Sequence, residues 1–224
     1  MKVALVDYGA GNLRSVANAL TALGVERHIA AGPDEIMDAT HLVLPGVGSF
    51  GDCMGELAAR GLLEPVRDWV TAGRPYLGIC LGYQLLFEGS EETPGVAGLG
   101  VVKGMVRRFA EKPGLKIPHM GWNAVVPRNP DQGPWSGLGE EPYFYYVHSY
   151  FPVPEDPAVI AAETNYGGEV FAAAIERGNL LACQFHPEKS QGAGLRLLRN
   201  FLDEKRERNG KNGKNGKNGK PLLQ

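Results

Sequence analysis

No run of apolar residues in this 224-residue chain approaches the roughly 18 that a bilayer-crossing helix needs, so a membrane span is not expected. The N-terminus, Met1-Lys2-Val3-Ala4-Leu5-Val6-Asp7, meets an acid after a short apolar stretch and shows no small-residue cleavage site, which argues against a secretory signal. Cysteine is scarce. Cys53, Cys80 and Cys183 cannot all pair with one another, and their spacing fits no zinc pattern, so the expectation is free thiols in a reducing cytoplasm, with no metal and no cofactor. Net positive charge is lacking too. The formal charge is −2, and setting aside the four tail lysines Lys211, Lys214, Lys217 and Lys220 leaves −6, which offers no surface for nucleic acid.

What is present is a chain with 43% apolar residues, enough for one core over residues 1–208. From Asn209 it becomes a repeat of Asn, Gly and Lys. That repeat has too little apolar surface to offset its ordering entropy, so 209–224 is expected to be a disordered cationic tail. Short β-rich runs at 2–7, 25–30, 41–44 and 74–79 alternate with helical spacing at 12–23, 33–38 and 57–71. Strand-like runs then follow at 101–109, 122–126, 143–148, 159–164, 170–176 and 180–185, closed by a helix near 193–206. The pattern predicts one α/β domain with a central, mostly parallel sheet flanked by helices and added antiparallel strands.

Gly78-Ile79-Cys80-Leu81-Gly82 follows an apolar strand and opens a helical run over 81–87. This is the cysteine version of a strand–turn–helix nucleophile elbow. Flanking glycines suit a turn too tight for neighbouring Cβ atoms, and a helix start favours a thiolate beside it. The N–H of Leu81 is placed to donate to a developing oxyanion. Taken alone, the five-residue pattern also suits a buried inert cysteine. Cys53, with no strand before it, and Cys183, within an apolar strand, are expected to be structural.

His186-Pro187-Glu188 ends the strand over 180–185. Residues two apart on a strand share a face, which would set the carboxylate beside the imidazole, fix its tautomer and leave the other nitrogen for the proton of Cys80. By itself a His-x-Glu is more often a surface feature; beside a cysteine elbow it becomes a candidate pair. The order nucleophile, His, acid differs from that of the α/β-hydrolases, in which the acid precedes His.

The strings Gly78-Ile79-Cys80-Leu81-Gly82-Tyr83-Gln84 and Gln184-Phe185-His186-Pro187-Glu188 resemble the class I, triad-type glutamine amidotransferases. Asp7-Tyr8-Gly9-Ala10-Gly11-Asn12, Pro45-Gly46-Val47-Gly48-Ser49-Phe50-Gly51, Pro118-His119-Met120-Gly121-Trp122-Asn123 and Tyr146-Val147-His148-Ser149-Tyr150 further resemble the glutaminase subunits of imidazole glycerol phosphate synthases. The resemblance implies a flavodoxin-like version of the expected sheet. It also implies L-glutamine as substrate and a catalytic triad of Cys80, His186 and Glu188. It places oxyanion donors at Leu81 and at Val47 or Gly48, and substrate contacts at Gln84, Ser149 and Tyr150. Asn12, Met120, Trp122 and Lys189 match interface positions toward a separate (β/α)₈-barrel cyclase, as a heterodimer; Trp122 read alone could equally be a core residue. Tyr83 departs from the aliphatic residue more usual in these proteins. A glutaminase serving pyridoxal phosphate or anthranilate synthesis, or a non-catalytic regulatory subunit of the same fold, are the alternatives.

Overall fold

The strands that carry the site are apolar throughout, as strands covered on both faces must be. The computed structural model of the protein describes residues 1–9 and 12–203, so the expected tail at 209–224 lies outside them. In chain order the first half contains β1 (Val3–Val6), α1 (Leu13–Ala22), β2 (Arg27–Ala30), α2 (Pro33–Met37), β3 (His41–Gly46), α3 (Phe50–Ala59), α4 (Leu63–Thr71), β4 (Tyr76–Cys80) and α5 (Leu81–Gln84). The strands β5 (Gly89–Ser90), β6 (Gly104–Arg108), β7 (His119–Ala124), β8 (Val126–Pro127), β9 (Tyr143–His148) and β10 (Tyr150–Pro154) follow. The chain then runs through β11 (Ile160–Tyr166), β12 (Glu169–Arg177), β13 (Leu180–Cys183) and α6 (Gln191–Asp203), with short 3₁₀ turns at Gly133–Trp135, Pro157–Val159 and Pro187–Lys189.

The main sheet has the order β2-β1-β3-β4-β13-β12-β11-β8. Its first five strands pair in parallel and its last three add antiparallel, as the alternating pattern predicts. Successive side chains divide between two cores. Ala4, Leu42, Leu44 and Leu180 pack with α2, α3 and α4 on one face. Val3, Leu5, Val43, Leu77 and Leu181 pack with α1 and α6 on the other.

Three sequence expectations are corrected. The helix expected over 57–71 is two helices. Gly61 takes φ +67°, Gly61 N–H bonds Ala58 O at 3.0 Å and Leu62 N–H bonds Leu57 O at 2.9 Å, a left-handed cap that ends α3 and restarts the chain as α4. The helix expected over 81–87 stops at Gln84. The runs at 101–109, 122–126 and 143–148 lie outside the main sheet except at Val126, which begins β8. β7 pairs with β9 as a separate ribbon, and β6 joins β10 and β5 in a three-stranded sheet.

Leu197 of α6 is fully buried in the second core. Leu197→Ala is expected to lower unfolding free energy by about 2–5 kcal/mol, read as a fall in urea midpoint with unchanged slope; a change under about 0.5 kcal/mol would contradict this packing.

Candidate active site

Three adjacent parallel strands, β3, β4 and β13, bring their C-terminal ends together. Gly46 pairs with Cys80 at the end of the β3–β4 ladder, and Cys183 pairs with Ile79 across β13–β4. Cys80 adopts φ 54°, ψ −105°, a left-handed conformation that costs an L-residue energy and persists only where its surroundings enforce it. The glycines do the enforcing. A Cβ on Gly82 would lie 1.9 Å from the Leu44 carbonyl oxygen, and one on Gly78 would lie 2.7 Å from the Gly82 carbonyl oxygen. Tyr76 Oη donates to that Gly82 carbonyl at 2.9 Å and so pins the first turn of α5.

The loop after β3 is held just as firmly. Tyr8 Oη donates to Pro45 O at 2.9 Å, and the Cys53 thiol donates to Val47 O at 3.7 Å. Burial, with Tyr8 and acidic neighbours in support roles of either sign, pushes the Cys53 thiol up to about 11, so it remains an S–H donor. Ser49 caps α3, its Oγ accepting from Asp52 N at 3.2 Å. The carboxylate of Glu92 accepts from Phe50 N at 2.7 Å.

His186 follows β13, and its N–H donates to Tyr145 O at 2.9 Å. Nδ1 lies 2.8 Å from Glu188 Oε1, and both side chains are almost wholly buried. The expected strand alternation is not the cause. Pro187–Lys189 is a 3₁₀ turn, closed by Ser190 Oγ donating to His186 O at 2.6 Å, and this turn folds the carboxylate back under the ring. Burial pulls the His186 imidazole down, but the Cys80 sulfur, and Glu188 after it, more than offset this and raise it to about 10. Nε2, the nitrogen remaining for the sulfur, makes no regular hydrogen bond among the described residues, and neither does Glu188 Oε2.

Cys80, His186, Leu81, Val47, Gly48, Gln84, Ser149 and Tyr150 line one cavity of about 380 Å³, within the range of small-ligand sites. Glu188 supports it from behind. Gln84 is 4% exposed; its Nε2 donates to Tyr150 O at 2.9 Å and to Gln184 Oε1 at 3.0 Å, so its own Oε1 remains as an acceptor. Gln184 was not singled out by sequence reasoning, although its Nε2 donates to Cys80 Sγ at 3.6 Å. Its place two residues before His186 was the available signal. Glu92, Pro118, Val147 and His148 also line the cavity; Glu92 stands in a loop without any motif to mark it.

Met120 and Trp122, alternate residues of β7, are 62% and 47% exposed, so Trp122 is not a core residue. Lys189 Nζ stands 5.8 Å over the Tyr145 ring, and Asn12, partly exposed, precedes α1 without a side-chain capping bond. Tyr83 is fully buried and donates to Ala172 O at 3.4 Å. Cys183 donates to Phe185 O at 3.5 Å; burial first, then Glu188 and Cys80, push its thiol well up. Among the described residues all three cysteines are free, no cluster of metal-ligating side chains occurs, and no helix is long and apolar enough to cross a membrane.

The family model described as "Glutamine amidotransferase class-I" matches residues 4–205. The chain belongs to this family. It is 49% identical over 203 residues to the protein of Synechococcus elongatus named imidazole glycerol phosphate synthase subunit HisH, covering 91% of this chain and 93% of that protein. The HisH protein of Rhodopirellula baltica is 51% identical over 199 residues, 89% of this chain and 96% of that one. Among solved structures, a chain in the structure of PurLQS from Thermotoga maritima superposes with a TM-score of 0.71 at 21% identity, covering 90% of this chain and 97% of that one. A second, titled as a glutamine amidotransferase, gives 0.67 at 24% identity, with 89% and 97% covered. At these identities the two structures speak for the fold.

A raised imidazole changes how the fold responds to pH. A group whose pKa rises on folding from 6.5 to about 10 stabilises fully below about pH 6.5, and that stabilisation is lost as pH rises through about 10. The His186 ring is therefore expected to titrate well above 6.5 by NMR, and lower in Cys80→Ala, because the sulfur is the main influence raising it. A wild-type midpoint at or below 6.5 would contradict the geometry.

Proposed function

We propose that this chain is the glutaminase subunit of an imidazole glycerol phosphate synthase, hydrolysing L-glutamine to glutamate and ammonia in histidine biosynthesis. The observation that carries the reading is the convergence of Cys80, His186 and Glu188 in a chain half identical to proteins of that name. The Cys80 thiolate attacks the amide carbon of glutamine. Imidazolium His186 gives its Nε2 proton to the departing nitrogen, ammonia leaves, and a glutamyl thioester remains on the sulfur. The neutral imidazole then takes a proton from water, which attacks the thioester carbonyl and releases glutamate. Glu188 keeps Nδ1–H oriented through both steps.

Negative charge develops on the same oxygen in each step, and the N–H of Leu81 with that of Val47 or Gly48 is the donor pair proposed to receive it. Gln84 Oε1, facing the cavity with its amide N–H groups already engaged, suits the α-ammonium of glutamine. Ser149 and Tyr150 would hold the same end through their backbone. Ammonia is nucleophilic only while unprotonated, so it must reach its acceptor out of bulk water. The partner would be a (β/α)₈-barrel cyclase forming a heterodimer with this chain, docked on the face presenting Met120, Trp122, Lys189 and Asn12. That face exposes two large apolar side chains, as protein-binding surfaces do. The buried free thiols suit a cytoplasmic setting.

Glutamate release from glutamine, measured with and without the cyclase, tests the assignment; release stimulated only by a pyridoxal phosphate or anthranilate synthase partner would overturn it, and no release at all would favour a regulatory subunit. Cys80→Ala is expected to cut glutamine hydrolysis by about a thousandfold or more while leaving the cyclase able to use added ammonium salts. Trp122→Ala should weaken cyclase binding by about 2 kcal/mol in a titration without changing Cys80 reactivity in the free chain.

A further inference from the structure

A continuous line of hydrogen bonds connects the Cys80 sulfur to β7. Gln184 Nε2 donates to Sγ at 3.6 Å, and Gln184 Oε1 accepts from Gln84 Nε2 at 3.0 Å. Gln84 Nε2 also donates to Tyr150 O at 2.9 Å. The same carbonyl lies 2.9 Å from His148 Nδ1. His148 Nε2 lies 3.0 Å from His119 Nδ1, and His119 Nε2 lies 3.3 Å from Asn123 Nδ2.

The polarity of this line is determined at every joint. The Tyr150 carbonyl can only accept, with one lone pair for each neighbour, so His148 carries its proton on Nδ1 and Gln84 presents its NH₂. A neutral His148 then accepts at Nε2, which requires the proton of His119 on Nδ1 and leaves His119 Nε2 to accept from Asn123. Ala124 N donates to Asn123 Oδ1 at 2.8 Å, which fixes the amide the same way round. Gln184, facing a donor at Gln84, must turn its oxygen there and its NH₂ to the sulfur. The reversed amide would set two donors against each other at one end and an oxygen against the sulfur at the other. Protonation of either imidazole would break the His148–His119 joint while leaving the Tyr150 carbonyl accepting from Gln84. The two rings are enclosed by Phe109, Tyr146, Tyr166 and Phe171. Burial lowers His119 to about 4, and burial together with His119 lowers His148 to about 3, so both are neutral at physiological pH.

We propose that Gln184 is a positioning residue that aims the Cys80 sulfur, and that its amide is oriented through Gln84 by the Tyr150 carbonyl, which can only accept. The inference rests on Cys80 being the nucleophile. An N–H aimed at a thiolate is a charge-assisted bond, and the fixed polarity keeps a donor, never an acceptor, against the sulfur. β7 is the strand whose opposite face exposes Met120 and Trp122.

The test is the rate at which iodoacetamide alkylates Cys80 at neutral pH in the full chain, followed on the peptide carrying that residue. Gln184→Met, of similar shape but without the donor, is expected to slow alkylation about tenfold, and Gln84→Met severalfold. The double variant should be no slower than Gln184→Met alone, because Gln84 acts only through the amide. Wild-type alkylation in Gln184→Met, or losses that multiply in the double variant, would overturn the proposal; mere loosening of the core would give the multiplied result. Gln184→Asn, too short to reach the sulfur, takes the place of Gln184→Met if near-ultraviolet dichroism shows that variant unfolded. Glutamine hydrolysis by wild type in the same preparations keeps the two readings apart. A wild type active on glutamine whose Gln184→Met form alkylates normally loses the line of positioning bonds and keeps the glutaminase.

Discussion

The close approach of Gly82 to the Leu44 carbonyl is the constraint on which the site depends. With a side chain at residue 82, Cβ would fall 1.9 Å from that oxygen, and the β4–α5 turn could not close against β3. Because it closes, Cys80 is held at φ 54° and lines the cavity at the strand ends. The loop after β3 lies on one side of the turn and the end of β13 on the other. Three neighbouring parallel strands thus deliver the loop, Cys80 and His186 to one crevice at their carboxyl ends, where open α/β sheets place their ligands.

Around that sulfur the protein keeps two kinds of polar group. His186 and Glu188 form a buried pair 2.8 Å apart, and the imidazole is raised to about 10. On the other side stand neutral groups: the Gln184 and Gln84 amides and the paired imidazoles of His148 and His119. Aromatic rings and burial deny those imidazoles their charge, so a second cation does not compete with His186 for the sulfur. The two histidine environments differ because one faces the Cys80 sulfur and a carboxylate and the other has only rings, amides and a carbonyl.

Much of this is legible in the residues. The apolar runs that became β1, β3, β4 and β13 are short and continuous, and the elbow glycines mark a turn too tight for neighbouring Cβ atoms. What sequence did not reveal depends on long-range placement. Pro152 and Pro154 disguise β10, and they are tolerated because β10 is an edge strand of its small sheet. Gly61 reads as a tolerated interruption until its left-handed cap is seen to divide α3 from α4. His186 and Glu188 were paired on the right residues by the wrong geometry, strand alternation in place of a 3₁₀ turn. His119 and His148 meet only because β7 and β9 pair in the register that sets these two residues opposite one another. Gln184 lies in a familiar string, yet only the packed elbow reveals that its amide faces sulfur.

The central claim is that chemistry passes through a covalent bond to the sulfur at residue 80. Chain and cyclase with acceptor bound, mixed with labelled glutamine and quenched in acid within one turnover, should yield label bound as an alkali-sensitive thioester on the peptide containing Cys80. Label on the Cys53 or Cys183 peptide, or full turnover with none retained on any cysteine, would contradict the account.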